Sequence, residues 1–488
     1  MALTWLLACP LVGMAVVLAL PKAAAGLIRA VAIAATGLTL LLSLQLLSGF
    51  DPAQGIQFQE RLRWIPQLNI RYHLGIDGIS LPMVLLTALL GFLACLGSHS
   101  IRERQKEYYA LYLLLQVGML GTFVALDLFL FYLFWEVVLV PMYFLIGIWG
   151  GGRREYSAFK FFVYTLAGSL VMLLAILALY FNIQPRTFDL LELRQSAPML
   201  PAAFQQLLFA AFFLGFAIKV PVFPFHTWLP DAHVDAPTPG SVLLAGVLLK
   251  MGGYGFFRIS YPLFPAAAQH FAWAMALLGM INIVYGAFVA LAQTDFKRLV
   301  AYSSVSHMGF VLLGLASLTP EGMNGAMLQM FSHGIITGAM FLLVGVLYDR
   351  THTRDLAAFG GLGARVPVYG AFLIFFSLGS LGLPALSGFV AEFLSLAGAF
   401  QVQRLQVLTM ISVIGIVIAA AYNLKVIRAV LLGPLNAKWQ QLADLSALET
   451  ISLAPLLVIT LAVGLYPLCL LAVQDPALRA LAAHVAGQ

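Results

Sequence analysis

The chain has 488 residues, of which 62% are hydrophobic and 9% are charged, and its formal net charge is +6. Soluble domains carry about 25% charged residues, so this composition excludes a soluble protein and predicts an integral membrane protein. Cys9, Cys95 and Cys469 lie singly in apolar runs, which supports neither an iron–sulfur ligand set nor a disulfide framework. The scattered lysines and arginines favour a role in membrane orientation over nucleic-acid binding.

The apolar runs predict an all-α polytopic membrane protein with about fourteen spans, because about 20 apolar residues are needed to cross a bilayer. No positive segment precedes the first run, and its first basic residue is Lys22, so we expect a spanning helix rather than a cleaved signal. The predicted spans are 3–20, 25–48, 78–98, 109–126, 128–149, 157–182, 204–230, 238–260, 270–293, 298–317, 323–348, 368–398, 405–431 and 450–473.

The short loops predict the orientation, because lysine and arginine accumulate on the cytoplasmic side of a membrane. Basic residues follow the third, fifth, ninth and eleventh spans, whereas the loops around Asp127 and Glu321 have none. Both termini are therefore predicted on the outer, periplasmic face of the cell membrane. The polar stretch from Asp51 to Asp77 is predicted to be an outer loop, and no soluble domain is expected.

Two of the spans are interrupted, and each carries one ionisable residue near its interruption. The seventh span, in GFAIKVPVFPF, contains Lys219 together with Pro221 and Pro224. The twelfth span, in LGSLGLPALSGFVAEF, contains Pro384 at its break and Glu392 just beyond it. Proline removes a backbone donor, and a broken membrane helix is tolerated only where protein or a polar cavity surrounds it. Both breaks are therefore predicted to lie inside the helix bundle.

The positions of the two breaks also predict an internal repeat. They are five spans apart, and an odd offset inverts one copy relative to the other. Helices 4–8 (109–260) and 9–13 (270–431) are therefore predicted to form two inverted five-helix repeats within a single domain, 1–488. The alternative is that proline and glycine are simply frequent in membrane helices, which explains one kink better than two kinks with matching charges.

Ionisable residues deep within the spans mark the candidate site, because each costs about 2.5–3.5 kcal/mol at the centre of a membrane helix. Their side chains are those that hold and release protons, which predicts a proton path. The alternatives are structural ion pairs for the lysines and glutamates and hydrogen-bonded core positions for the histidines. The candidate residues are Glu136, Lys219, Lys250, His307, His333 and Glu392, in the fifth, seventh, eighth, tenth, eleventh and twelfth spans.

Glu136 and Lys219 are predicted to act as a switched pair. Burial disfavours the charged form of a lysine, whereas a nearby carboxylate favours it. In contact, the pair would keep the proton on the lysine, and on separation the lysine would release it. The polar residues after the break are predicted to line the cytoplasmic side of the path rather than to bind a metal. They are His226, Asp231, His233 and Asp235.

No metal, flavin, nicotinamide or haem site is predicted in this chain. The glycine-rich stretches GGGRRE (150–155) and FGGLGAR (359–365) lack the strand–turn–helix context of a nucleotide-binding motif.

Five motifs carry a resemblance to a known family. They are LFWEVVLVPMYFLIGIWGG, IKVPVFPFHTWLPDAHVDAPTPGSVLLAGVLLKMGGYG, DFKRLVAYSSVSHMGFV, FSHGIITGAMFLLVG and LPALSGFVAEF. Over nearly its whole length the chain resembles the antiporter-like membrane subunits of proton-pumping NADH:quinone oxidoreductase, respiratory complex I. The resemblance is closest to the M-type chains, the counterparts of mitochondrial chain 4.

The resemblance implies roles for the candidate residues. Glu136 would pair with Lys219, Lys250 and His307 would carry protons along a central axis, and Glu392 would be the exit-side site. The L-type and sodium/proton antiporter chains usually have lysine at that last position, so Glu392 favours the M type.

The resemblance also implies partners, while this chain itself would hold no redox centre. NAD(H), FMN, iron–sulfur clusters and quinone would be bound by other subunits, and the membrane neighbours would be the L- and N-type antiporter-like chains. Rival hypotheses are a cation/proton antiporter subunit, a membrane subunit of a ferredoxin- or hydrogenase-linked complex, and a passive membrane scaffold.

Overall fold

Helices dominate the fold because, inside a membrane, the backbone must satisfy its own hydrogen bonds. The structure is a computed structural model that describes residues 1–487. Two π-helical turns, Leu244–Leu248 and Phe256–Ser260, join the short helices Thr238–Leu243, Leu249–Gly255 and Tyr261–Leu263 into one span. The α-helices are α1 (Ala2–Ala19), α2 (Ala25–Ser48), α3 (Ser80–Leu96), α4 (Gln105–Val124), α5 (Leu128–Val137), α6 (Leu139–Trp149), α7 (Arg154–Asn182), α8 (Leu190–Ser196), α9 (Ala202–Lys219), α10 (Trp228–Asp235), α11 (Thr238–Leu243), α12 (Leu249–Gly255), α13 (Tyr261–Leu263), α14 (Pro265–Ala292), α15 (Phe296–Ala316), α16 (Pro320–Thr351), α17 (Leu362–Arg365), α18 (Pro367–Ser380), α19 (Ser387–Phe400), α20 (Gln406–Leu431), α21 (Ala447–Leu465) and α22 (Leu468–Ala486).

Among the described residues, 13 helices are long and apolar enough to cross a membrane. These 13 include α22 but neither the more polar α4 nor the two short halves of the broken twelfth span, α18 and α19. The helix α4 runs the length of the bundle, because Lys106 in its first turn bonds the end of α1 and Leu126 just after it bonds strand residue His73. With α4 and the broken span counted as crossings, the predicted spans each correspond to a helix or to a group of consecutive helices.

The last predicted span, 450–473, is wrong at its C-terminal end. The helix α21 ends at Leu465, and the chain turns at Tyr466 before α22 begins. The helix α22 then lies across the ends of other helices instead of continuing through the bundle. Asn324, in the first turn of α16, donates to Asp475 (2.7 Å), and His484 lies 2.9 Å from the carbonyl oxygen of Pro262 at the end of α13.

The predicted loop from Asp51 to Asp77 contains a β-hairpin, so the fold is not purely helical. Strand β1 (Gln57–Ile65) pairs antiparallel with β2 (Ile70–Ile76). The hairpin lies at the same end of the bundle as Met1 and α22, since Leu3 bonds Glu60 of β1 and Gly78 packs against α22. We call this end the hairpin face. The opposite end, which carries the basic loops 102–106, 153–154, 297–298 and 350–354, is called the basic face.

The core of the bundle lies around three central spans. In the 18-residue apolar stretches of Thr238–Leu263, Phe296–Ala316 and Pro320–Thr351, 94% of the residues are buried, whereas the share is 33% in Ala2–Ala19 and 28% in Ala447–Leu465. The central spans are therefore surrounded by other helices, and they carry Lys250, His307 and His333.

Two short β-bridges occupy equivalent places five spans apart. Asp127, just before α5, bridges Asp189 after α7, and Asp295, just before α15, bridges Asp355 after α16. Each bridge uses two backbone hydrogen bonds of 2.8–2.9 Å. The first bridge lies at the hairpin face and the second at the basic face. The inverted repeat remains a prediction, and this inverted pair of bridges supports it.

Candidate functional site

The seventh span breaks between α9 and α10, directly after Lys219. Pro221 interrupts the helical hydrogen bonds, and neighbouring side chains replace the lost partners. Asn282 of α14 donates to the carbonyl of Pro221 (3.1 Å), and Trp228 Nε1 donates to the carbonyl of Ile218 (2.9 Å). The break is thus buried in protein, as broken membrane helices require.

Lys219 contacts an aromatic ring rather than a carboxylate. Its side chain is buried, and Nζ lies 4.9 Å from the ring centroid of Trp135. Such cation–π contacts contribute about 0.5–2 kcal/mol. Within residues 1–487 no acidic oxygen lies within 4.0 Å of Lys219, and Oε1 of Glu136 is buried without a hydrogen-bond partner. The predicted contact between Glu136 and Lys219 is therefore absent in this conformation, in which Trp135 occupies the neighbouring position.

Lys250 is joined to His333. The two side chains are buried, and Nζ lies 2.6 Å from Nδ1 of the imidazole. Nζ also donates to the carbonyl of Ala245, which the π-helical turn Leu244–Leu248 leaves accessible. Within the described chain, His333 Nε2 is buried without a hydrogen-bond partner. Lys250 and His333 thus form one hydrogen-bonded unit between the eighth and eleventh spans.

The next unit contains His307 and Glu392. Nδ1 of His307 lies 2.9 Å from Oε1 of Glu392, and both side chains are buried. Nε2 of His307 lies 3.1 Å from the hydroxyl of Tyr422. The rings of His307 and His333 have centroids 5.6 Å apart. The structure therefore brings four predicted residues into one row, in the order Lys250, His333, His307, Glu392.

Glycine is required at the break of the twelfth span. Gly382 has a φ of +80°, in the left-handed region, and a Cβ there would lie 3.1 Å from Oε2 of Glu392. The left-handed backbone therefore favours glycine, and a side chain here would also crowd the carboxylate.

The seventh and eighth spans pack tightly where their two lysines lie. A Cβ on Gly252 would come within 2.7 Å of the carbonyl of Phe216 and 3.0 Å of the nitrogen of Val220. Glycine at this position lets the end of α9 lie directly against α12. The lysine-bearing segments of the two spans are thus direct neighbours, although Lys219 and Lys250 share no hydrogen bond within the described residues.

The polar residues after the seventh-span break have separate positions. Asp231 bridges Lys160 (2.7 Å) and Arg298 (3.1 Å), which ties the sixth span to the tenth. Asp235 accepts from Ser157 (2.6 Å) and lines a cavity of about 320 Å³ at the basic face.

The two histidines of the same segment lie deeper. His233 stacks on Phe341 with centroids 4.7 Å apart, and His226 lies 5.3 Å from the ring of Tyr285. Both are buried. In residues 1–487, no group of three or more acidic, histidine or cysteine side chains is placed to hold a metal ion.

Several residues around the site are absent from the sequence prediction. Neutral polar and aromatic side chains are common in membrane helices, so they do not stand out as buried charges do. The available signal was an amide or hydroxyl inside an otherwise apolar run, as at Asn282 in MINIVYG. The missed residues are Trp135, Asn282, Gln329, Ser380 and Tyr422.

A family model described as "NADH:quinone oxidoreductase/Mrp antiporter, TM" matches residues 125–419, which include every candidate site residue. The chain belongs to this family. Within the family, it is 48% identical over 450 residues to the NADH-quinone oxidoreductase subunit M of Rhodobacter capsulatus. The match covers 90% of this chain and 87% of that relative.

Two solved structures contain chains with the same fold. The chain matches one in respiratory complex I from Thermus thermophilus with bound NADH, with a TM-score of 0.91 and 32% identity, over 99% of this chain and 100% of that one. It also matches a chain of the Mrp complex from Dietzia sp. DQ12-45-1b, with a TM-score of 0.87 and 23% identity, over 99% and 97% of the two chains. The second likeness shows the fold alone.

Proposed function

We propose that this chain is a proton-translocating membrane-arm subunit of an NADH:quinone oxidoreductase. The observation that carries the proposal is the buried row of titratable side chains in a chain whose 48%-identical relative is named subunit M of that enzyme. The neutral forms of lysine and histidine and the ionised form of glutamate each accept a proton, and the other forms donate one. The row therefore has the chemistry of a proton relay.

The relay would run across the bundle from Lys250 to Glu392. Lys250 donates to His333 through their direct contact, and His307 donates to Glu392 through theirs. No hydrogen bond joins the two imidazoles within the described residues, so a water molecule or a ring rotation would complete the middle step. Because the four residues come from four spans, a shift of any one span would interrupt or complete the relay.

Glu136 and Lys219 would supply the switching step. At about 4 Å and an effective dielectric constant of about 20, two opposite unit charges attract by about 4 kcal/mol. Moving one proton charge against 100 mV costs about 2.3 kcal/mol. The energy gained or lost when Glu136 and Lys219 meet or separate is thus large enough to drive the transfer of one proton. The conformation described above, with the two side chains separated, would be the open state of the pair.

Electron transfer from NADH to quinone would occur in partner subunits, which would hold NAD(H), FMN and the iron–sulfur clusters. The neighbours in the membrane arm would be the L- and N-type antiporter-like chains. By the positive-inside rule, the basic face would be cytoplasmic, and both termini would lie on the outer side of a cell membrane. The two inverted repeats, 109–260 and 270–431, would each supply one broken helix.

Replacement of Lys219 by alanine in the intact complex tests the proposal. Assembled complex with Lys219→Ala, reconstituted into vesicles, should lose most NADH-driven proton uptake, and Glu136→Gln should behave similarly. Lys438→Ala is the matched control, because Lys438 is exposed. Normal pumping by both assembled variants would reject the proposal. A complex that exchanges cations for protons without quinone reductase activity would instead identify an antiporter.

A further inference from the structure

The eighth span carries a second set of polar side chains, arranged along the helix rather than across the bundle. Lys250, Tyr254 and Arg258 follow one another at four-residue spacing, which places them on one side of the helix. Tyr254 is fully buried, and the side chain of Arg258 is 9% exposed. This part of the span runs toward the hairpin face, so the set leads from the site to that surface.

Arg258 is held from two sides. Its Nε donates to the hydroxyl of Tyr254 (2.9 Å), and that hydroxyl donates to the carbonyl of Phe123 (2.8 Å). Its Nη2 forms an ion pair with Asp77, which is itself fixed by the backbone nitrogen of Ile79 (3.0 Å). A guanidinium bound in this way has little freedom to move aside.

A cavity of about 410 Å³ lies directly beyond the ion pair. Asp77, Arg258 and Arg194 line it, together with the chain segment 52–56. Most of that segment is exposed, so the cavity opens at the hairpin face. At about 30 Å³ per molecule, it has room for on the order of ten water molecules. Lys250 is therefore separated from this cavity by Tyr254 and Arg258.

Arginine and the relay residues differ in one chemical respect. Lysine, histidine and glutamate titrate, whereas a guanidinium does not release its proton in proteins. Its fixed positive charge also raises the energy of any proton that approaches, as arginine does in pores that exclude cations. A proton leaving Lys250 thus meets acceptors in the direction of His333 and a barrier in the direction of the cavity.

We propose that Arg258, positioned by Asp77, is a barrier that prevents protons on Lys250 from leaving directly through the hairpin face. The proposal rests on the proposed proton transport and extends it. Protons would be confined to the route through His333, His307 and Glu392, and the first repeat would have no outlet of its own at this face. Arg258 never carries the transported proton, and Asp77 is the residue that positions it.

Passive proton leak tests this barrier without turnover. Purified complex would be reconstituted into vesicles at equal protein content, and proton entry would be followed after a potassium diffusion potential is imposed. Arg258→Gln should raise the leak about tenfold, which corresponds to about 1.4 kcal/mol. Adding Lys250→Met to Arg258→Gln should return the leak to the wild-type rate, which a merely loosened structure would not do.

Two further variants keep the test decisive. Arg194→Gln is the control, because Arg194 lines the same cavity and has no ion pair among residues 1–487. Asp77→Asn should raise the leak less than Arg258→Gln does, because the guanidinium loses its anchor but keeps its charge. This variant serves if Arg258→Gln does not assemble. A wild-type leak in the assembled Arg258 and Asp77 variants, or a leak unaffected by Lys250→Met, would overturn the barrier. Loss of pumping in Lys219→Ala would leave the proposed function standing in that case.

Discussion

At the scale of single residues, His333 is the side chain that links the two hydrogen-bonded units of the site. Its Nδ1 lies against Lys250, and its ring is the neighbour of His307. In the sequence it appears as one histidine in an apolar helix, which is equally typical of a hydrogen-bonded core residue. Its contacts come from two other spans, and these pairings are not visible in its own helix.

Replacement of His333 by glutamine separates hydrogen bonding from proton transfer. The glutamine oxygen still accepts from Lys250, but the amide does not carry a proton at neutral pH. We expect the rate of proton transfer through this chain to fall by about a hundredfold, the lower end of general acid–base contributions, and proton uptake coupled to NADH oxidation to fall with it. Ser332→Ala, at the adjacent buried position, is the control. Wild-type coupling in an assembled His333→Gln complex would remove His333 from the relay.

Asp127 gives a prediction about pH at the hairpin face, outside the spans. It caps α5 by accepting from the nitrogens of Phe129 and Leu130, and it is completely buried. Burial raises the pKa of Asp127 to about 7. An aspartate in the unfolded chain ionises near pH 3.9. The folded protein therefore binds the extra proton, and the stability of this region falls as the pH rises from about 4 to about 7.

Asp127→Asn should remove this dependence, because asparagine caps a helix about as well as aspartate and does not ionise. Relative to the wild type, the variant should gain about 1–2 kcal/mol of stability when the pH is raised from 5.5 to 7.5. Thermal denaturation of the detergent-solubilised complex at both pH values measures this gain. Asp51→Asn, at an exposed position, should show none. A constant difference between Asp127→Asn and wild type would refute the assignment.

At the scale of elements, close glycine contacts hold α16 against α19. A Cβ on Gly325 would lie 2.2 Å from the nitrogen of Ser395 and 2.7 Å from its hydroxyl oxygen. Such small residues let membrane helices approach closely. These two helices carry His333 and Glu392, so their spacing bears directly on the relay.

Gly325→Ala should therefore destabilise the chain by about 1–3 kcal/mol, the usual cost of overpacking. A lower midpoint of thermal denaturation for the purified complex would show it. Gly147→Ala is the matched control in another membrane helix, since its nearest neighbour, the Cβ of Ala158, would be 3.6 Å away. Equal midpoints for the two variants would mean that α16 and α19 separate without cost.

The breaks in the spans were predictable from sequence because Pro221 and Pro384 act locally on their own helices. The hairpin was not, because Gln57–Ile65 is only partly alternating and its pairing with Ile70–Ile76 is a contact between segments. The helix α22 was missed for a related reason. Its apolar start continues the hydropathy of α21, and only the turn at Tyr466 separates them.

Some features of the candidate site could likewise be predicted from the sequence, and others could not. An ionisable residue within a membrane span is energetically unfavourable and therefore rare, so it stands out in the sequence. The members of the row from Lys250 to Glu392 could be predicted for this reason. The order of these residues in the row could not be predicted, because it depends on which spans contact one another. The same limit applies to Trp135, because its contact with Lys219 joins two different spans.

At the scale of the whole molecule, α22 ties together helix ends that are distant in sequence. Gln474 donates to the carbonyl of Asn324 (2.9 Å), and Gln269 donates to the carbonyl of Val485. The helix α22 is thus hydrogen-bonded to α14 and α16, and through His484 it also contacts the end of α13.

Ending the chain after Pro467 should therefore weaken the hairpin face of both predicted repeats. We expect a lower denaturation midpoint and less assembled complex on native gels, with the candidate residues unchanged in sequence. Arg479→Ala is the control, because its pair with Asp475 is largely exposed and such pairs contribute about 0–1 kcal/mol. A truncated chain that assembles and denatures like the wild type would show that α22 is dispensable.

The two π-helical turns of the eighth span have a consequence for how relatives of this chain differ in length. A π turn holds one residue more than an α turn in a helix that otherwise continues unchanged. Deleting one residue within 256–260 would restore α-helical geometry in this turn and leave the helix on either side of it in place. Lys250 would keep its place, but the turn that carries Arg258 would be rewound, so the side chain facing Asp77 would change. Single-residue gaps at 256–260 should therefore be found only in relatives that have lost the aspartate–arginine pair as well.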